Sequence, residues 1–345
     1  MANVSVRDVA ARASVSVGTV SNVLNRPERV AGPTIALVHA AIAELGFVRN
    51  EAARQLRVGA SRTIGLVVLD AGNPFFADLA RATQDRAAES GYSVILGNSD
   101  ERSEREAGYL DLFEQQRVRG VLISPFGDAT ERLRQLRDRG IPAVLVDRTS
   151  ADDSFSSVSV DDVAGGRLAV DHLLELGRRR IAFVGGPSAV GQVTDRLEGA
   201  RRSVAAQTDA RLEVIETAAL TVQEGRSVGD RILERPADDR PDAIFTANDL
   251  VAVGLLQALY MKGAVAVPDD IAIIGYDDID FAASSIVPLS SIRQPSTLIG
   301  TTAIDILLAE ADSASIDPVR VVFQPELVAR ESTRPRLIDT AGSGR

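Results

Sequence analysis

Apolar residues at Val6, Val9, Ala10 and Ala13 fall at i, i+3, i+4 and i+7, the stripe of one face of a short helix. Ser14, Val15 and Ser16 interrupt it. A second stripe at Val17, Val20, Val23 and Leu24 predicts another helix. Ser16 suits its N-cap, because the hydroxyl can accept from the free backbone N–H groups of the next turn. The joined pair over residues 5–25 predicts a helix-turn-helix, whose second helix enters the major groove of DNA. A helical hairpin in an ordinary core has the same periodicity. Residues 26–30 read as a loop, since Pro27 disfavours helix at its predecessor. A third helix is expected from Pro33, suited to a first helical position, to Leu45, with Ile35, Val38, Ile42 and Leu45 on one face and Gly46 as C-cap.

From Arg62 the pattern changes. Apolar runs at 64–69, 93–98, 120–124 and 142–147 alternate with helical stretches near 75–90, 102–117 and 129–139. The series restarts at 180–186, 213–217, 242–249 and 270–278. Short apolar strands separated by helices mean parallel βαβ units. Two such halves in succession predict a two-lobed α/β body, doubly wound, with a cleft. The closing stretch holds 289–295, a helix near 297–310 and an extended segment at 319–332, and is expected to cross back between the lobes.

Charge sharpens this division. The chain of 345 residues carries a net charge of −10. Residues 1–62 hold eight Arg, no Lys and four acids, a net of +4, which leaves −14 for the remainder. An acidic body is repelled by DNA phosphates, so a basic headpiece must make any such contact. There is no cysteine, which excludes disulfides and thiolate metal sites. With only His39 and His172, a histidine-rich metal cluster is excluded too. The first residues do not read as a secretory signal, and no run approaches the apolar length of a membrane helix, so a cytoplasmic protein without membrane contact is expected.

The run VRDVAARASVSVGTVSNVLN, followed by an apolar helix and ELGFVRNEAARQL, resembles the N-terminal headpiece of the lactose-repressor (LacI-type) family of bacterial transcription regulators. The resemblance extends from about Val4 to Arg330. It implies an all-α headpiece at 1–49, a hinge helix at 50–61 and a periplasmic-binding-protein-like core at 62–334. The N-lobe would comprise 62–160 and 291–322, and the C-lobe 161–290 and 323–334, with crossings near Asp161, Ser291 and Phe323. A polar, disordered tail is expected at 335–345. It further implies a homodimer on a pseudo-palindromic double-stranded DNA operator, controlled by a small-molecule effector, with no cofactor.

By the family pattern Val17, Gly18 and Asn22 are expected to face base edges. Val17 can touch a thymine methyl and Asn22 can pair with adenine. Gly18 supplies no side-chain readout. Thr19, Ser21, Asn25 and Thr34 are expected at phosphates, which position without specifying; Asn25 equally suits a C-cap. By the same resemblance Leu56 is a wedge in a central base step and Ala53 permits its close approach. In open α/β sheets ligands sit at the carboxyl ends of strands. There lie Phe75 and Phe76 after the run Asn73-Pro74, Asp147 with Arg148, Asn248 with Asp249, and Asp277 with Asp278. Arg196, in a helix, completes a set that resembles the sugar-responsive members. Carboxylate, amide and guanidinium groups can bind neighbouring hydroxyls, and a Phe ring can cover an apolar sugar face. Asp or Asn after a strand is otherwise a helix cap, and Asp249 is the expected one. Phe281, Asp161 and Phe126 are weaker candidates. A purine or other non-sugar effector remains an alternative, as does a sugar-binding transport protein.

No enzyme constellation emerges. Gly186 and Gly191 have the spacing of a phosphate loop but lack its Lys and Ser/Thr. Paired acids at 161–162 and 277–278 are adjacent, and neighbours on a strand point to opposite faces, so adjacency alone makes no acid/base pair.

Overall fold

The computed structural model describes residues 4–47, 61–150, 154–263, 265–313 and 317–334. Ala53 and Leu56, with the expected hinge helix as far as residue 60, and the tail from 335 lie outside the described residues. The chain divides into two compact units, Met1–Ser61 and Arg62–Arg345.

The first unit holds α1 (Val6–Arg12), α2 (Val17–Asn25) and α3 (Gly32–Leu45). Each terminus has a local cause. The Ser5 hydroxyl accepts from the Asp8 N–H while the Asp8 carboxylate accepts from the Ser5 N–H, a reciprocal capping box. Ser16 caps α2 by accepting from the Thr19 N–H at 3.0 Å. Gly46 ends α3 at φ 62°, the left-handed conformation that glycine adopts without a Cβ penalty. Val9, Ala10, Ala13, Val20, Val23, Val38 and Ala41 form the core, with Ile35, Ile42 and Leu45 packed against it. Val17 corrects the sequence reading. It is 46% exposed and stands outside this core, because at the first position of α2 it precedes the turn that Val20 and Val23 bury.

The second unit contains two six-stranded sheets. In the N-lobe, β1 (Thr63–Val68), β2 (Ser93–Asn98), β3 (Val121–Ile123), β4 (Ala143–Val146), β5 (Ser157–Val160) and β11 (Arg320–Phe323) run in the order β11-β5-β4-β3-β1-β2, all parallel. In the C-lobe, β6 (Arg180–Val184), β7 (Arg211–Ile215), β8 (Ala243–Thr246), β9 (Ala272–Asp277), β10 (Ser290–Arg293) and β12 (Glu326–Val328) run in the order β12-β10-β9-β8-β6-β7. There β12 alone is antiparallel. Helices α4 (Pro74–Glu89), α5 (Ser103–Gln115), α6 (Thr130–Asp138) and α12 (Ser296–Asp312) cover the first sheet. Helices α7 (Asp162–Glu175), α8 (Gly191–Ala205), α9 (Val222–Leu233), α10 (Asp249–Lys262) and α11 (Asp280–Ser284) belong to the second.

Parallel strands are covered on both faces, so they read as continuous apolar runs. In β1, Ile64, Leu66 and Val68 enter one cluster while Val67 meets Leu110 and Phe113 on the opposite face. In β6, Ile181 and Phe183 face one way, Ala182 and Val184 the other. Helices α7 and α8 touch backbone to backbone. A Cβ on Gly166 would stand 2.0 Å from the Arg196 carbonyl oxygen, and one on Gly199 would stand 2.1 Å from that of Val163. This contact sets Asp162 on α7 beside Arg196 on α8.

Two expectations change. Ser157–Val160 is a strand absent from the sequence reading; Val158 and Val160 alternate with buried serines, so it lacks an apolar run. The second crossing lies at Gln294–Pro295, not near Ser291, because Ser290–Arg293 pairs with β9 inside the C-lobe sheet. The chain also crosses at Asp161, and again at Gln324–Pro325 between β11 and β12.

Candidate functional site

On α2 the positions 17, 18, 21, 22 and 25 span a contiguous arc at 100° per residue, opposite Val20 and Val23. Val17, Gly18, Asn22 and Asn25 are exposed and Ser21 is half-buried. A side chain on Gly18 would meet only the Ser16 hydroxyl, at 3.6 Å. Thr19 turns off this arc and its hydroxyl lies 2.9 Å from that of Ser16, so it joins the cap. The Asn25 amide donates to the Ser21 carbonyl at 2.8 Å, and the C-cap itself is Arg26. Thr34 is half-buried in the first turn of α3.

In the core, the carboxyl ends of the strands converge on a buried polar cluster that bridges the lobes. Asn73 caps α4 by accepting from the Phe75 N–H at 3.1 Å, and its amide donates to Asp277 Oδ2 at 3.0 Å. Gln294, at the second crossing, donates to Asp277 Oδ1 at 2.7 Å. Gln192 of α8 donates at 2.8 Å to both the carbonyl and Oδ2 of Asp147 at the end of β4. Arg196 is the cluster's cation. Its Nε donates to Asp162 Oδ1 at 2.8 Å and its Nη1 to the Ala247 carbonyl at 2.6 Å. The guanidinium lies 3.7 Å from the Tyr276 ring centroid, a cation–π contact, and 3.8 Å from Asp277. Phe75 and Phe76 are buried edge to face, centroids 5.0 Å apart.

Two features mark this cluster as more than a packed core. The first is backbone strain. Asp147, Asp277 and Asp278 hold φ of 57°, 103° and 56°, left-handed conformations that cost non-glycine residues about 1–3 kcal/mol each and persist where surroundings over-determine them. The second is unmet hydrogen bonding. Asp147 Oδ1, Gln192 Oε1 and Gln294 Oε1 are buried without a partner. The Tyr276 hydroxyl sits close to Asp162 without a bond of good geometry. Buried polar atoms are normally paired, and each exception asks for a reason.

Three carboxyl groups here share one guanidinium. Burial, with the Asp162 charge nearby, pushes the Asp147 carboxyl up to about 8. Burial raises Asp162 and Asp277 as well, against the pull of Arg196. Burial works against the Arg196 charge, but Asp162, Tyr276 and Asp277 outweigh it and keep the guanidinium protonated. A carboxyl raised on folding binds its proton more tightly in the native than in the unfolded chain, so stability falls as pH rises between the two values. The melting temperature of the core is therefore expected to fall from pH 5 to pH 8, and Asp147→Asn to flatten that fall. Calorimetry in both variants checks this; equal slopes would remove Asp147 as the titrating group.

Not every expected residue joins the cluster. Asn248, not Asp249, caps α10: its Oδ1 accepts from the Val251 N–H and its amide donates to the Leu220 carbonyl, which commits both ends to structure. Arg148 is half-buried and paired with Asp195 at 2.7 Å. Phe281 is 58% exposed on α11 and outside every buried cluster. Asp161 caps α7. Phe126 is half-buried, and its N–H donates to Glu106. Conversely Asp162, Gln192, Tyr276 and Gln294 were not singled out from sequence. Asp162 is one of two adjacent acids that adjacency alone does not make an acid/base pair; Asp161 turns to the α7 cap and Asp162 to Arg196. Gln192 follows Gly191 in the rejected phosphate loop. Gln294 precedes a proline at a crossing, a usable signal. An open groove of about 710 Å³ on α9 and α10, lined by residues such as Arg226 and Met261, includes none of these strand-end residues. Among the described residues no group of three His, Cys, Asp or Glu is placed to hold a metal.

A family model for bacterial regulatory proteins of the lacI family matches residues 5–50, and one for a periplasmic binding protein-like domain matches 170–333. The ribose operon repressor of Halalkalibacterium halodurans is 36% identical over 330 residues, 96% of this chain and 97% of the relative. The chain belongs to the lacI family. Like the family it is a DNA-binding transcription regulator, with an α-helical headpiece and a two-lobed core of parallel sheets. The lac repressor dimer bound to operator and the anti-inducer ONPF superposes with a TM-score of 0.82 at 29% identity, over 96% of this chain and 99% of that one. A lacI-family regulator from Enterococcus faecium with bound ribose superposes with a TM-score of 0.72 at 29% identity, over 79% and 99%.

Proposed function

We propose that this lacI-family protein is a cytoplasmic repressor whose operator affinity is set by an uncharged monosaccharide, D-ribose, held in the interlobe cleft. The carrying observation is the set of unpaired polar atoms Asp147 Oδ1, Gln192 Oε1 and Gln294 Oε1. A polyol brings hydroxyls that both donate and accept, and unmet buried polar atoms cost about 1–3 kcal/mol each until they are satisfied. Asp147, Asp277 and Arg196 would contact hydroxyls directly, with Phe75 and Phe76 walling the apolar side. Asn248 and Phe281 would contribute at most indirectly, and Arg148 closes the rim with Asp195. The ribose of the Enterococcus relative and the name of the Halalkalibacterium repressor support this effector class.

Val17 and Asn22 would read bases, with Ser21, Asn25 and Thr34 at phosphates. Two copies would pair through their N-lobes. There the edge strand β2 exposes Ile95 and Leu96 by 39% each, and Leu112 of α5 is exposed to the same degree. A two-fold dimer imposes a pseudo-palindromic operator. The protein acts by binding, not as a catalyst.

Thermal shift of the full chain against pentoses, hexoses, sugar alcohols, nucleosides and purine bases tests the effector. D-ribose at 100 times its dissociation constant is expected to stabilise by ~2.7 kcal/mol. A shift with a purine base and none with any sugar would replace this effector class by the purine one.

A further inference from the structure

Asp249 was expected to be a helix cap, but Asn248 has that role and Asp249 is left fully buried at the first turn of α10. Its two carboxylate oxygens have specific partners. Oδ2 accepts from the Ile279 N–H at 2.9 Å, and Oδ1 accepts from the Ser291 hydroxyl at 2.7 Å. Ser291 Oγ in turn accepts from the Asp278 N–H at 3.0 Å. The only residue that could stand between is glycine: a Cβ on Gly275 would lie 2.0 Å from Asp249 Oδ1.

The segment so held is the turn that leaves β9. Its residues Asp277 and Asp278 are successive left-handed, non-glycine residues, a conformation the backbone does not keep unaided. The N–H groups of Asp278 and Ile279 are both satisfied through Asp249, one directly and one through Ser291. Asp277, whose carboxylate accepts from Asn73 and Gln294 in the buried cluster that bridges the lobes, is the first residue of that turn. We infer that Asp249 is the positioning residue for Asp277, setting the direction of its carboxylate toward the effector without touching the effector itself. This rests on the proposed role of Asp277 in sugar binding. It assigns the Asp249–Ser291 pair to the binding machinery and not merely to the fold.

The test uses the full chain and D-ribose, with Asp249→Ala, Asp249→Asn and Ser291→Ala. Asp249→Ala is expected to weaken ribose binding about 10–100-fold, as for orienting partners behind metal ligands. Ser291→Ala, which cuts one of the two routes, should cost about three- to tenfold. Asp249→Asn keeps an oxygen for the Ile279 N–H but presents an amide donor where the Ser291 hydroxyl donates, so Ser291 must reverse that bond and binding should recover only in part. Recovery in Asp249→Asn, which fills the same volume as the wild-type side chain, separates a positioning loss from a general folding defect. Hydrogen exchange of the Asp278 and Ile279 amides, measured without ligand, should accelerate in Asp249→Ala and not in Asp249→Asn. Wild-type ribose binding in Asp249→Ala, equal loss in Asn and Ala, or unchanged exchange would overturn the assignment. If wild type binds no sugar, the effector reading fails, and the exchange arm alone still decides whether Asp249 holds the turn.

Discussion

Arg196→Ala is expected to destabilise the core by ~3–5 kcal/mol and to abolish the thermal shift with D-ribose, the largest single-residue effect in this chain. The side chain of Arg196 is 5% exposed. It neutralises Asp162 at 2.8 Å, approaches Asp277 at 3.8 Å and occupies the Ala247 carbonyl. Removing one partner of a buried pair leaves the other charge without compensation, which is why such losses exceed those of surface pairs by several fold. The orphaned carboxylates have one escape, to take up protons. Both are already raised by burial, and losing the Arg196 charge that holds them down raises them further. The penalty should therefore be larger at pH 8 than at pH 5. Urea denaturation at the two pH values measures this directly, and a loss below ~1 kcal/mol at pH 8 would refute the account, since that is the range of an exposed pair. Arg196→Lys should recover charge without the planar fork that serves Asp162, Ala247 and the Tyr276 face together, so it should restore stability only in part.

Operator binding is expected to fall about 10³–10⁵-fold between 50 and 200 mM salt, if the dimer makes 6–10 phosphate contacts. The charge distribution requires this. Residues 1–62 carry +4 and the rest −14, so all attraction to phosphate resides in the headpiece, and the body opposes it. A plot of log affinity against log salt should be linear and steep. Asn22→Ala should leave the slope unchanged and lower discrimination at one base pair, because a base contact carries no counterion release. A slope near zero would mean that the basic headpiece does not meet the backbone, and the DNA-reading arrangement of α2 would fall with it.

The headpiece was legible because its signals are local. Ser16, Pro33 and Gly46 announce their helix ends through bonds or conformations within one turn. The parallel strands were legible because burial on both faces leaves unbroken apolar runs. What sequence could not resolve was long-range. β5 alternates serine with valine and is recognisable only once β4 and β11 flank it. The exchange of roles between Asn248 and Asp249 depends on Ile279 and Ser291, distant in sequence. Gln192 and Gln294 carry no chemistry that stands out alone, and become part of the cleft only opposite Asp147 and Asp277. The cleft's acids were visible as residue types at strand ends; their raised proton affinities are a property of the folded surroundings.

The interleaving of the lobes bears on how the protein is made. β5 ends at Val160, but its outer neighbour β11 begins only at Arg320, about 160 residues later, and α12 also comes from this late segment. At ordinary synthesis rates the nascent N-lobe waits roughly 10–30 s with one sheet edge and one helix face open. The C-lobe waits for β12 in the same closing stretch. Neither lobe can finish on the ribosome ahead of the other. A chain interrupted before residue 320 lacks the outer strand of both sheets, so premature termination yields two unfinished lobes and not one sound domain.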